Sequence, residues 1–163
     1  MSQIPQNVAD FLAAHGLAAL EFEPGSTPTA ETAAARIGVP VGQIAKSMLF
    51  KGKDGAFRLV VAAGDKRVDN GLLKKTAGCK HRMATHEETL AVTGFRPGGV
   101  CPFGLAGSGI QILLDASLDA YETVYPAAGT DATGVPMSPE KLAEVTGGVR
   151  VQVTGGKEQL SLS

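Results

Sequence analysis

Apolar residues recur along the chain with a spacing that changes several times, and each change marks an element. From Pro5 to His15 they fall three and four apart, with Val8, Phe11 and Leu12 on one face and Gly16 as the stop, which predicts a helix. Leu17 to Glu23 predicts a short strand leading into the turn-rich Pro24-Gly25-Ser26-Thr27-Pro28. A second helix is expected from Thr29 to Ile37, with Gly38 just beyond its end. The spacing then drops to two. Lys46–Lys51 and Ala56–Ala63 read as strands joined around Asp54-Gly55, a strong hairpin signal. Asp69 is placed to cap a helix running through Ala77, and Thr85-His86-Glu87-Glu88 fits a capping box for a helix ending near Gly94. Ile110–Asp115, Glu122–Pro126 and Val149–Val153 look like further strands, and Ser138-Pro139-Glu140 opens a last helix with proline in its first turn.

Strands and helices interleave, hairpins dominate, and the spacing of strand, helix and strand is irregular. These features predict an α+β class: a mixed, mainly antiparallel curved sheet, barrel-like and flanked by helices. At 163 residues one domain is expected across 1–163, with no repeat and no linker. The apolar runs are too short to span a bilayer, and Met1 to Gln6 lacks the basic and apolar regions of a secretory signal, so a cytoplasmic setting is expected. Cys79 and Cys101 have neither zinc nor redox-pair spacing.

The net charge of −1 does not suggest a nucleic-acid binder, but its distribution is uneven. Between Lys46 and Arg82 there are ten Lys and Arg residues against three Asp, a local excess of +7, and the rest of the chain carries −8. A segment of this kind fits an anionic partner if its cations share a face, and a solvated surface if they do not. Lys66, Arg67, Lys74 and Lys75 are the candidate contacts of this segment with such a partner.

Two segments carry candidate chemistry. In Arg96-Pro97-Gly98-Gly99-Val100-Cys101-Pro102-Phe103-Gly104-Leu105, glycine and proline shape the backbone beside apolar residues, which suits either a pocket wall offering main-chain N–H groups or an ordinary tight loop. In Ile44-Ala45-Lys46-Ser47-Met48-Leu49-Phe50, alternation puts Lys46 on the larger apolar face with Ile44, Met48 and Phe50. A lysine there needs an anion, carbonyl groups or a pocket mouth, or else reaches out to solvent. The Gly-x-Gly-x-x-Gly and P-loop signatures are absent.

Gln43–Phe50, Ala63-Gly64-Asp65-Lys66-Arg67-Val68-Asp69 and Gly98–Gly104 together resemble three signature segments of the YbaK/EbsC family, free-standing relatives of the editing domain of bacterial prolyl-tRNA synthetase. Thr27–Ala34 resembles its early helix, and the similarity runs from about Phe22 to Val145. The resemblance implies an aminoacyl-tRNA deacylase that hydrolyses the ester between a wrong amino acid and the 3′-terminal adenosine. It implies no metal or cofactor, and it makes water the nucleophile, assisted by a ribose hydroxyl. Lys46 maps onto the family lysine that contacts the acceptor end. Gly98, Gly99, Val100, Cys101 and Pro102 map onto the Gly-x-x-x-Pro motif beside the ester. Ser47, Met48, Phe103, Gly104 and Gly129 are the expected substrate-binding positions, and Lys66, Arg67, Lys74 and Lys75 the expected tRNA contacts. The implied partners are a mischarged tRNA together with a synthetase or elongation factor, with neither membrane nor DNA.

An aminoacyl ester is already activated, so such a site need only position water and stabilise charge on the carbonyl oxygen. Selection among small side chains then follows from pocket shape. The chain departs from the family in having Cys101 where many members have serine, Ala127-Ala128-Gly129 where they have Ser-Ala-Gly, and no histidine in the early loop. Alanine, serine, threonine, cysteine and 2-aminobutyrate all remain candidate substrates. Cys101 is either a pocket wall or, given a neighbouring cation, a nucleophile. Two other readings stay open: a non-catalytic module that captures tRNA acceptor ends or a synthetase, and a hydrolase of another small ester or amide.

Overall fold

The structure is a computed structural model that describes residues 3–105 and 107–155. Four of its helices begin where a side chain satisfies an orphan N–H. In α2 (Ala30–Ile37), the Thr29 hydroxyl accepts from the Thr32 N–H and the Thr32 hydroxyl accepts from the Thr29 N–H, while Gly38 ends the helix in the left-handed region. The Asp69 carboxylate caps α3 (Asn70–Ala77) through the Leu72 N–H. Thr85 and Glu88 form the predicted capping box of α4 (His86–Thr93), and Ser138 caps α5 (Pro139–Thr146). Helix α1 (Gln6–Ala14) follows Pro5 without a side-chain cap and is held by Val8 and Leu12 in the core.

The strands are β1 (Leu20–Glu21), β2 (Ile44–Gly52), β3 (Phe57–Ala63), β4 (His81–Met83), β5 (Gln111–Asp115), β6 (Tyr125–Pro126), β7 (Thr133–Gly134) and β8 (Val149–Val151). Strands β2 and β3 form the expected hairpin. Gly55 adopts φ 84° in a loop closed by hydrogen bonds from the Gly55 N–H to the Gly52 carbonyl and from the Gly52 N–H to the Ala56 carbonyl. The main sheet has the order β4-β2-β3-β5-β8, with β6 also paired to β2, while β1 and β7 form a separate ribbon. Pairings β2–β3 and β2–β4 are antiparallel, and β2–β6, β3–β5 and β5–β8 are parallel. The sheet is therefore mixed as expected, but it does not close into a barrel: its strand order is an open path from β4 to β8.

Three strands are shorter than the pattern predicts. Val124 makes a bridge with Met137 rather than joining β6, so only Tyr125–Pro126 reaches β2. Beyond β8, the N–H groups of Val153 and Thr154 turn to the buried Asp115 carboxylate, at 2.7 and 3.2 Å. Between Leu17 and Glu23 only Leu20–Glu21 pairs, with β7.

Ala45 and Leu49 face the main core, packing with Leu59, Val61, Phe103 and Leu142. On the opposite side Phe50 packs with Val60, Leu73 and Leu113, and Ile44 packs under α2. Lys46 does alternate with Ile44, Met48 and Phe50. That face, however, covers the two smaller clusters, because α2 and α3 pack there while most of the remaining chain covers the other side.

Candidate active site

Strand β2 has β3 along one edge. Its other edge is shared: β6 pairs with Ile44 and Ala45, and β4 pairs from Phe50 onward. Between these two partners Lys46, Ser47 and Met48 open into a cavity of about 320 Å³. The first turn of α2 and the segment before it form a second wall, with Thr27, Pro28, Thr29, Ala30 and Glu31. Gly98, Val100, Tyr125, Ala127 and Thr133 line it from the other side, and Ala33, Ile37, Ile44 and Ala45 also reach it.

Lys46 is half-buried, and its Nζ donates to the Lys66 carbonyl at 3.2 Å, which steadies the ammonium at the wall. The Lys66 and Arg67 side chains are exposed beside it. The loop carrying Gly98 is a type II turn: Pro97 takes the second position, Gly98 the third at φ 86°, and the Gly99 N–H donates to the Arg96 carbonyl. A Cβ on Gly98 would lie 3.0 Å from the Pro28 carbonyl oxygen, and one on Gly99 would lie 2.9 Å from the Gly129 backbone. Glycine therefore lets this turn press against both the Pro28 segment and the 127–133 loop. Among the described residues, the N–H groups of Gly98 and Val100 donate to no other group.

The structure thus brings Lys46, Ser47, Met48, Gly98 and Val100 together around one space and separates the other expected site residues from it. After Val100 the chain turns inward. Cys101 and Phe103 are fully buried in the main core, with Phe103 against Phe11, because these side chains fill the space beneath α1. Pro102 is buried with them. Gly99 lies against the Gly129–Thr130 backbone, Gly104 accepts from the Asn7 amide, and Gly129 sits against Pro5 and Phe95, so these glycines serve packing and line no part of this cavity. Burial pushes the Cys101 thiol up to about 12, its hydrogen-bond partners are the Phe103 and Gly129 backbones, and it lines no part of the cavity, so it is neither the pocket wall nor the activated nucleophile considered above.

The histidines also lie elsewhere: His15 stacks on Phe11, His86 is exposed at the start of α4, and His81 bonds Arg58 and the Cys79 carbonyl. Lys74 and Lys75 are exposed on α3. A second basic group, Lys51, Lys53, Lys80, His81 and Arg82, lines a cavity of about 310 Å³ at the far end of β2. At ~3.3 Å per strand residue it lies roughly 20 Å from Lys46. Tyr125, Thr133 and Thr27 join the site only through pairing and loop contacts, and no sequence spacing marks them.

The profile of the aminoacyl-tRNA editing domain family matches residues 24–145. The chain belongs to that family. The editing domain is 44% identical over 124 residues to the "Uncharacterized protein YwhH" of Bacillus subtilis, covering 76% of this chain and 78% of that one. It is 26% identical over 127 residues to the "Putative Cys-tRNA(Pro)/Cys-tRNA(Cys) deacylase EbsC" of Enterococcus faecalis, covering 77% of each. A crystal structure of "a putative trans-editing enzyme for prolyl tRNA synthetase" superimposes with a TM-score of 0.85 at 34% identity, over 96% of this chain and 99% of that one. The editing domain therefore has the α+β architecture of its relatives, and the cavity lies within the matched region.

Proposed function

We propose that this editing domain acts in trans as a deacylase of mischarged tRNA. The observation that carries the reading is one cavity that joins the Lys46 ammonium, the start of α2 and a glycine turn with uncommitted N–H groups. The relatives' names support the same assignment of ester, tRNA and a proline-charging context.

In this reading Lys46 takes a phosphate of the 3′ end and fixes the terminal adenosine over the cavity. The ester carbonyl oxygen lies toward the Gly98 and Val100 N–H groups, which stabilise the negative charge that develops as water adds to the carbonyl carbon. The bond to the ribose oxygen then breaks, releasing the amino acid and a ribose hydroxyl that recovers the proton. Glu31 is the only carboxylate lining the cavity among the described residues, and it faces the substrate ammonium. Lys53 and Lys80 make no ion pair among the described residues, so they are free to take phosphates farther along the RNA.

The test is deacylation of tRNAs carrying alanine, serine, threonine, cysteine or 2-aminobutyrate, with Lys46→Ala alongside. Hydrolysis of at least one species that falls by ~10-fold or more in the variant supports the reading. Salt-sensitive tRNA binding without any hydrolysis would replace it with the acceptor-end binding module.

A further inference from the structure

Asp115 ends β5 as a carboxylate that is 2% exposed and that makes no ion pair among the described residues. Burying a charge without a counter-ion is costly unless hydrogen-bond donors replace water. Here the Val153 N–H donates at 2.7 Å, the Thr154 N–H at 3.2 Å, the Thr154 hydroxyl at 2.6 Å and the Ser117 N–H at 3.0 Å. The Ser117 hydroxyl bonds the carboxylate as well, and its oxygen accepts from the Ala63 N–H at 3.0 Å. One buried charge thus grips two stretches of chain, the turn after β5 and residues 153–154.

Both stretches lead to the segment that carries the Lys66 carbonyl. Ser117 fixes its start at Ala63, whose carbonyl accepts from the Lys66 N–H at 2.9 Å. Residues 153 and 154 fix its end: the Asp69 N–H donates to the Val153 carbonyl at 2.7 Å, and Val68 forms an antiparallel bridge with Thr154. Gly64 presses on the Val41 carbonyl oxygen, and beyond it Asp65, Lys66 and Arg67 are exposed, so the Lys66 carbonyl takes its place from these anchors. We infer that Asp115 is a positioning residue of the candidate active site: its carboxylate sets the Lys66 carbonyl, and that carbonyl sets the Lys46 ammonium. The inference rests on the deacylase reading, in which Lys46 orients the 3′ end. A lysine stem is flexible and its ammonium donates in several directions, so a fixed carbonyl narrows its choices. A misplacement of ~1 Å at such a group can cost ~100-fold in rate. Hydrogen bonds to a charged acceptor are roughly twice as strong as neutral ones, which suits a carboxylate to holding the two stretches firmly.

The experiment follows the Lys46 side chain and the reaction in the same variants. In protein carrying 13C-labelled lysine, the Lys46 ε-methylene NMR signal is assigned by its loss in Lys46→Ala. Ser117→Ala is expected to move that signal toward the signal of the exposed Lys75 and to leave Lys75 in place. Asp115→Asn, recorded at a temperature where melting curves show it folded, is expected to move it the same way, and so is Thr154→Val. Ser117→Thr keeps the hydroxyl and the wild-type signal. On the mischarged tRNA that the wild type cleaves fastest, Ser117→Ala is expected to lower kcat/KM ~10-fold. In the Lys46→Ala background the same change is expected to stay within about twofold, because its effect passes through Lys46; a general weakening of the fold would act in both backgrounds. A Lys46 signal that stays in place in both Asp115→Asn and Ser117→Ala, a rate that does not fall, or an equal loss in both backgrounds would overturn the inference. If the wild type cleaves none of the esters, the deacylase reading fails, and the Lys46 signal alone decides whether Asp115 places this lysine.

Discussion

Replacing Gly98 with alanine separates what the type II turn requires from what the cavity requires. Gly98 has φ 86°, and the hairpin glycine Gly55 has φ 84°, so alanine meets nearly the same backbone penalty at both. That penalty is ~1–2 kcal/mol, reduced by the lower entropy of the unfolded alanine chain, and leaves about 1 kcal/mol net at Gly55, or ~2–4 °C in Tm. At Gly55 the new Cβ meets nothing within 4 Å; at Gly98 it meets the Pro28 carbonyl oxygen at 3.0 Å and the Pro28 Cα at 3.1 Å. Both are backbone atoms and yield little. Overpacking adds roughly 2 kcal/mol, so Gly98→Ala is expected to lose ~6–12 °C. The relief available is a shift of the turn away from Pro28, which moves the Gly98 and Val100 N–H groups. Deacylation kcat/KM is then expected to fall ~10-fold or more in Gly98→Ala and to hold in Gly55→Ala. Melting curves and single-turnover deacylation of both variants check this. Equal Tm losses would show that the turn is not pressed on Pro28, and equal activities would show that its position does not matter.

Asp115→Asn is expected to cost about 3 kcal/mol, or ~6–12 °C, because the carboxylate accepts from the N–H groups of Ser117, Val153 and Thr154 and from the Thr154 hydroxyl, and an amide must turn an NH2 toward some of these donors. Burial alone would raise this carboxyl; the hydrogen bonds from Ser117, Thr154 and Val153 outweigh it and hold the group below its ordinary value. Its stabilisation is therefore complete above the unfolded-state value of ~3.9 and is lost as pH falls through the lower folded-state value, so the wild-type advantage in Tm shrinks below about pH 4. An advantage that stays constant down to pH 2.5 would contradict this. Lys53→Ala with Lys80→Ala is expected to weaken tRNA binding and to reduce the slope of log affinity against log salt by ~2, measured by filter binding. An unchanged slope would remove the far end of β2 from the RNA contact.

The helix starts were legible in the sequence because a cap is decided within four residues, as at Asp69, Thr85-Glu88 and Ser138-Pro139. The β2–β3 hairpin was legible for the same reason, through Asp54-Gly55. Features that depend on distant partners were not. The polar His81–Met83 becomes a strand only because β2 offers it an edge, and Val153 leaves the sheet because Asp115 takes its N–H. Alternation found the residues that share a face with Lys46 but could not say which face the main core would cover. In the glycine-proline segment, composition announced a shaped loop. It could not show that the chain lines the cavity through Gly98 and Val100 and then buries Cys101 and Phe103. Thr27, Tyr125 and Thr133 reach the cavity from about 100 residues apart, through the β2–β6 and β1–β7 pairings and the Thr27–Asp131 hydrogen bond.

The most direct test of the deacylase reading is single-turnover hydrolysis of tRNAs mischarged with alanine, serine, threonine, cysteine or 2-aminobutyrate by the wild-type domain and by Lys46→Ala, with melting curves confirming that both are folded. The wild type is expected to cleave at least one of these esters, and the variant to lose ~10-fold or more of that rate at unchanged Tm. Cleavage at the same rate by a folded Lys46→Ala would contradict the role of Lys46, and no cleavage by the wild type of any mischarged tRNA would contradict the deacylase itself.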